Sequence, residues 1–150
     1  YTFSDQVKHL RMRFFDDEKA KTLKRRNSYQ ALVRQMEFIR NYHDSQKVLD
    51  VLMVSNALLK TDTVIRFYAA NLNGDQTTAN YGRSIEGHGF IEDDSFKGYN
   101  WSWRPYFYQL FSGEPMVLSE PYLDIETSVP CKTLSVQING LIVLMVDVVI

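Results

Sequence analysis

The sequence predicts an α+β domain: a long N-terminal helix, then one antiparallel sheet of five strands with short flanking helices. Three observations carry this. Apolar residues recur at helical spacing over residues 2–43, the period changes to strict alternation after Thr63, and Asn-Gly turns punctuate the alternating part. Strands arranged as a pair, a crossing segment and then three more, without long helices between them, favour antiparallel over parallel pairing.

In the helix, Phe3, Val7, Leu10 and Phe14 fall four, three and four residues apart, and Tyr29, Leu32, Val33, Met36, Ile39 and Tyr42 resume the stripe. The intervening "DDEKAKTLKRR" is polar but holds neither Gly nor Pro. It allows one uninterrupted helix of about 60 Å at 1.5 Å per residue, or a break at Asn27-Ser28. So long a helix outruns a small domain, and its stripe is expected to pair with a second copy in a homodimer. The basic run Lys19, Lys21, Lys24, Arg25 and Arg26 follows Asp16, Asp17 and Glu18. It reads as a solvated, self-paired helix face rather than a polyanion site. A second helix is expected from Ser45 to Leu59.

"TVIRFYAANLNGDQTTANYG" alternates around Ile65, Phe67 and Ala69, turns at Asn73-Gly74 and returns as a polar strand, predicting a hairpin. "PMVLSEPYLDIE", "CKTLSVQI" and "LIVLMVDVV" follow as three strands, the last two joined at Asn139-Gly140. Between the two groups lies "GYNWSWRPYFYQL", with six aromatic rings in thirteen residues. Pro105 holds Arg104 extended and suits a first helical position, "PYFYQLFS" makes about two turns, and Gly113 ends them.

Composition narrows function. The 150 residues carry a net charge of −1, which argues against a nucleic-acid partner. A lone cysteine, Cys131, excludes an internal disulfide, and His9, His43 and His88 show no metal-ligand spacing. "GHG" at 87–89 lacks the spacing of a phosphate loop. No nucleophile stands beside a base, so neither catalysis nor a bound cofactor is expected. The chain starts at Tyr1 and stops inside the apolar run ending at Ile150, the expectation being a piece excised from a longer protein. That final run is too short and too charged for a bilayer span, which needs roughly twenty apolar residues.

The order of elements, with "YNWSWRPYF", "LSEPYLD" and "LMVD", resembles the Cache domains: PAS-like extracytoplasmic sensors of bacterial chemoreceptors, sensor kinases and cyclic-dinucleotide enzymes. The resemblance covers nearly the whole chain and implies a PAS-like single domain over residues 1–150, with the helix at 1–43 and the ligand-binding module at 45–150. It also implies a periplasmic location and membrane anchorage through helices outside these residues. Amino-acid-binding members share a pattern matched here by Tyr99, Arg104, Tyr106-Phe107, Tyr122-x-Asp124 and Asp147. The aromatic pair departs from the usual Trp-Tyr, and Phe107 lacks a hydroxyl for a carboxylate.

Chemistry makes the pattern sensible. A zwitterion buried without partners for both charges would cost several kcal/mol. Arg104 forks onto a carboxylate, Asp147 with Asp124 takes an ammonium, and Tyr99, Trp103, Tyr106 and Tyr122 exclude water. Trp103 ranks above Trp101 on the assumption that both share one face of an extended segment. Lys132 is a candidate second cation unless alternation turns it outward. The expected partner is therefore a small amino acid, amine or carboxylate, and binding is expected to close residues 82–105 over the sheet. The competing expectations are a cytoplasmic PAS or GAF sensor holding haem or flavin, and a ligand-free dimerisation module.

Overall fold

Helix α1 runs without interruption from Phe3 to Tyr42 in the computed structural model, which describes residues 2–86 and 88–149. Gly87, the first glycine of "GHG", lies outside the described residues, as do Tyr1 and Ile150. Thr2 caps α1 by accepting from the Asp5 backbone N–H at 3.1 Å, and Asp5 returns the bond to the Thr2 N–H at 3.3 Å. No break occurs at Asn27-Ser28, because every residue through the polar stretch tolerates the helix and none removes a backbone donor.

Only the C-terminal part of α1 is packed. Leu32, Met36 and Ile39 are buried, whereas Phe3, Leu10, Phe14 and Phe15 are all exposed. Helix α2 covers Val51–Leu58, six residues shorter at its start than the spacing predicted. Asp50 stops it from extending backward, since its carboxylate accepts from the Met53 N–H at 3.1 Å as an N-cap and holds the Tyr42 hydroxyl at 2.7 Å. His43 ends α1, its Nδ1 on the Ile39 carbonyl at 2.7 Å and its Nε2 accepting from the Asp50 N–H at 2.9 Å. It is a packed structural residue.

Among the described residues the sheet has seven strands rather than five: β1 (Val64–Ala70), β2 (Asn80–Arg83), β3 (Phe90–Asp93), β4 (Met116–Leu118), β5 (Tyr122–Leu123), β6 (Pro130–Ile138) and β7 (Ile142–Val149). Their order is β3-β2-β1-β7-β6-β4, every pairing is antiparallel, and β5 joins β6 beyond β4. "PMVLSEPYLDIE" is not one strand but β4 and β5, because Ser119-Glu120-Pro121 interrupts it and Pro121 has no ladder donor. Strand β3 is a short edge partner of β2 that carries no turn signal strong enough to predict it.

Central strands β1, β6 and β7 are buried on both faces. Phe67, Ala69, Leu134, Val136, Leu144 and Val146 meet α1 and α2. Tyr68, Ala70, Val143 and Met145 turn the other way, onto Tyr106, Phe107 and Leu110. Those last three belong to α3 (Pro105–Tyr108) and the 3-10 turn Gln109–Ser112, which Gly113 terminates at φ 100°. The whole is an α+β, PAS-like arrangement with the crossing segment folded over one face.

Candidate functional site

Strand parity brings Arg66 of β1, Thr133 of β6 and Asp147 of β7 to the face under the crossing segment. Arg66 pairs in register with Asp147, and Asp147 with Thr133, so three polar side chains stand side by side across three neighbouring strands. All three are buried. A buried guanidinium requires carboxylates around it, and it has them. Arg66 Nη1 donates to Asp147 Oδ2 at 2.8 Å and to Asp124 Oδ1 at 3.0 Å. Its Nη2 donates to Asp124 Oδ2 at 3.1 Å and to Glu126 Oε2 at 2.9 Å.

Asp124 is aimed by its own loop, where its carboxylate accepts from the Thr127 N–H at 3.0 Å and hydroxyl at 2.6 Å. The loop closes with Ser128 at φ 58°, a left-handed conformation, its N–H on the Asp124 carbonyl. On the far side Asp147 Oδ1 accepts from Thr133 Oγ1 at 2.8 Å, and the Tyr122 hydroxyl sits 2.6 Å from that same Oγ1.

These contacts set the protonation of the group. Burial pushes the Asp147 carboxyl above its ordinary value, against the pull of Arg66 and Thr133. Burial acts on Asp124 in the same sense, but hydrogen bonds from Arg66 and Thr127 outweigh it and hold that carboxyl low. Burial likewise opposes the Arg66 charge, and Asp124 and Asp147 more than offset it, so the guanidinium is held ionised. Burial raises the Tyr106 phenol to about 12 and pushes Tyr68 and Tyr122 up as well. None of the three is a phenolate at neutral pH.

Above this cluster is a cavity of about 70 Å³, room for several waters or a very small organic molecule. Arg66, Asp124, Asp147 and Arg104 line it together with the rings of Tyr68, Trp101, Tyr106 and Tyr122, and Arg104 forms no ion pair with either aspartate. Arg104 stands at the N-cap of α3. Its guanidinium carbon lies 4.4 Å from the Trp103 ring centre, 5.5 Å from that of Tyr122 and 5.9 Å from that of Tyr106. Among the described residues that guanidinium has no ion-pair or hydrogen-bond partner, and its Nε is buried without one.

The structure thus gathers Arg104, Tyr106, Tyr122, Asp124 and Asp147 around one space. The other three candidates lie off it. Phe107 points into the core, against Leu110 and Met145. Tyr99 is 43 % exposed and packs on the outer side of Trp101, ring centres 4.5 Å apart. Trp103, 55 % exposed, covers Arg104 from outside, while Trp101 occupies the wall. The extended geometry that ranked Trp103 first is absent: the Arg104 N–H donates to the Trp101 carbonyl at 3.0 Å, so the chain turns there and the two rings part.

Trp101 is held by a chain of polar groups. Its indole N–H donates to Gln76 Oε1 at 2.9 Å, and Gln76 Nε2 donates to Asn80 Oδ1 at 2.9 Å. The backbone is pinned nearby, Trp101 N–H to the Gly74 carbonyl at 2.8 Å. A Cβ on Gly74 would lie 2.7 Å from the Ser102 nitrogen, so this close approach requires glycine, as does φ 93°.

Lys132 is on the opposite face of the sheet, in a groove with α1, and does not reach the cavity. Cys131 is buried, and that burial pushes its thiol up. Among the described residues no cluster of His, Cys, Asp and Glu has the form of a metal site, and no helix is long and apolar enough to cross a membrane.

Arg66, Tyr68, Asn80 and Thr133 were not anticipated from the sequence. The signal for Arg66 was present: it is a lone charge inside "VIRFYAA", as Asp147 is inside "LIVLMVDVV". Two such charges of opposite sign in strands buried on both faces have to find one another or another partner.

No curated protein is significantly similar to the chain in sequence. Solved structures are similar in fold. The Bacillus subtilis YkuI protein, with an EAL domain, in complex with substrate c-di-GMP and calcium, matches with a TM-score of 0.64 and 22% identity over 97% of this chain and 37% of that one. An extracellular ligand binding receptor from Desulfohalobium retbaense matches at 0.58 and 13% identity over 81% and 22% of the two chains. The ligand-binding domain of the Campylobacter jejuni chemoreceptor Tlp3, in complex with L-valine, matches at 0.55 and 13% identity over 88% and 54%. At these identities the likeness establishes the fold alone, one shared with ligand-binding domains of extracellular receptors, and this chain spans between 22% and 54% of the three matched chains. The profile described as "EAL-domain associated signalling protein domain" matches residues 2–150, and the chain belongs to that family.

Proposed function

We propose that the chain is a non-catalytic sensory module of a bacterial signalling protein, whose ligand is a small amino acid, amine or carboxylate held in the cavity between Arg104 and Asp147. The observation that carries this reading is Arg104: a guanidinium with a buried, unpartnered Nε, facing an aromatic-walled space. A buried donor left without an acceptor costs about 1–3 kcal/mol, and proteins retain such a group where something else completes it. A ligand carboxylate does so through two parallel hydrogen bonds. The likeness to a chemoreceptor domain solved with L-valine supports the ligand class, and the family's tie to EAL domains favours a cyclic-dinucleotide enzyme as the output.

Thermal denaturation of the domain against amino acids, amines and short carboxylates tests the reading. A ligand at a hundred times its Kd adds about 2.7 kcal/mol of apparent stability. A shift that Arg104→Ala abolishes is the expected result. No shift with any of the three classes would leave the cavity as a packing defect in a dimerisation module.

Placement outside the cytoplasmic membrane is the second part of the proposal and rests on the likeness to the extracellular receptor and the chemoreceptor domain. A phosphatase reporter fused to the module in the intact protein checks it. No phosphatase activity, with activity of a β-galactosidase fused at the same point, would move the sensor inside the cell and leave the ligand reading untouched.

A further inference from the structure

The acid pair of the cavity already has its cation. Each terminal nitrogen of Arg66 carries two N–H groups, and all four are used: Nη1 on Asp147 and Asp124, Nη2 on Asp124 and Glu126. The acceptors are similarly committed. Asp147 gives Oδ2 to Arg66 and Oδ1 to Thr133, whose hydroxyl is in turn within 2.6 Å of Tyr122. Asp124 gives Oδ1 to Arg66 and Oδ2 to Arg66 and to both donors of Thr127.

An ammonium arriving there would have to displace a guanidinium that sits at 7 % exposure on a central strand and is bonded to three carboxylates. It would also enter a cavity lined by two guanidinium groups. At Arg104 the situation is reversed: it holds an unpartnered buried donor, and among the described residues no carboxylate pairs with it. The two sets of groups therefore differ in what they lack: the acid pair lacks nothing, and Arg104 lacks an acceptor.

We propose that Arg66 supplies from within the chain the positive charge that a ligand's ammonium would bring to Asp147 and Asp124, so that the cavity selects a small carboxylate without an α-amino group, bound through Arg104. This deepens the ligand reading above and rests on it. Arg66 becomes the residue that sets specificity, and Arg104 the one that sets affinity. The cavity volume of about 70 Å³ suits a short acid better than a bulky one.

Calorimetry with matched compounds tests the proposal: propionate, L-alanine and ethylamine share one skeleton, and 3-methylbutanoate, L-valine and isobutylamine another. The expected result is that each carboxylate binds at least tenfold more tightly than its amino acid, and that the amines give no heat. L-alanine or L-valine binding as tightly as its carboxylate, or an amine binding best, overturns this inference and leaves the ligand site in place. Silence from all six compounds, together with no thermal shift in the wider screen, removes the ligand site itself.

A second arm uses Arg66→Met combined with Asp124→Asn, which removes one charge of each sign and leaves Asp147 open. Its ratio of L-alanine to propionate affinity is expected to move at least tenfold toward L-alanine. A folded double variant whose ratio stays put would also overturn the proposal. If the variant does not fold, the wild-type series decides alone.

Discussion

The two faces of the central sheet are built from the same three strands and differ in kind. Toward α1 and α2, β1, β6 and β7 present Phe67, Ala69, Leu134, Val136, Leu144 and Val146, an apolar layer in which no member needs a specific partner. Toward the crossing segment they present Arg66, Tyr68, Thr133, Ser135, Met145 and Asp147, equally buried and mostly polar. The first face is held by area, at about 25 cal/mol per Å² of apolar surface removed from water. The second is held by matched charges, each of which is costly the moment its partner goes. A protein that needed only a fold would gain by making both faces alike.

The contrast is broken most severely by Arg66→Ala, which strands Asp124 and Asp147 with no cation. A loss of about 3–5 kcal/mol in urea unfolding is expected. Leu144→Ala on the opposite face leaves a cavity but no unpaired group and should cost about 2–5 kcal/mol. The two differ in kind as well as size: acid should partly rescue the arginine variant by protonating the carboxylates, and should do nothing for the leucine variant. Equal behaviour of the two variants between pH 7 and pH 4 would mean that the charged cluster is not dry.

The two aspartates sharpen the comparison further, because their shifts have opposite signs. Asp124 is held below its ordinary value of 3.8, so its ionised form adds stability above that pH, which is lost as pH falls through the depressed native value. Asp147 is held above 3.8, so its contribution is complete below that value and declines as pH rises through the raised native one. Relative to wild type, Asp147→Asn should therefore gain ground between pH 3 and pH 7, while Asp124→Asn loses it. Parallel pH profiles for the two variants would contradict the assigned directions.

The smallest effect on stability is expected at the far end of α1. Leu10 and Phe14 are both 62 % exposed, and replacing both with Glu should change unfolding of the body by about 0.5 kcal/mol or less. The same change should halve the mass seen by sedimentation if this free stripe is the dimer seam. An unaltered dimer would place the seam elsewhere.

Most elements of the fold were readable from local pattern. The period of α1, the Asn139-Gly140 turn with both residues at positive φ, and the stop at Gly113 are decided by a few neighbouring residues, and such signals survive without tertiary context. The division of β4 from β5 and the edge strand β3 were not, because strands of two to four residues are defined by the neighbour they pair with. The same holds in the site. Arg104 and Asp147 stood out as isolated charges among apolar residues, whereas the choice of Trp101 over Trp103 for the wall depended on a turn that is fixed by contact with Gly74, some thirty residues away.

The sequence by itself determined the long helix, the antiparallel meander and the presence of opposite charges in strands too apolar to leave them in water, since periodicity and desolvation are properties of each segment alone. Only the tertiary structure decided which charges meet. Arg66 reaches Asp147 and Asp124 because β1 lies beside β7 in one register, with β6 and the 124–128 loop bringing the remaining acceptors. Strand order and register are set by the packing of the whole sheet. A shift of a single residue would send Arg66 to the apolar face and leave both aspartates unpaired.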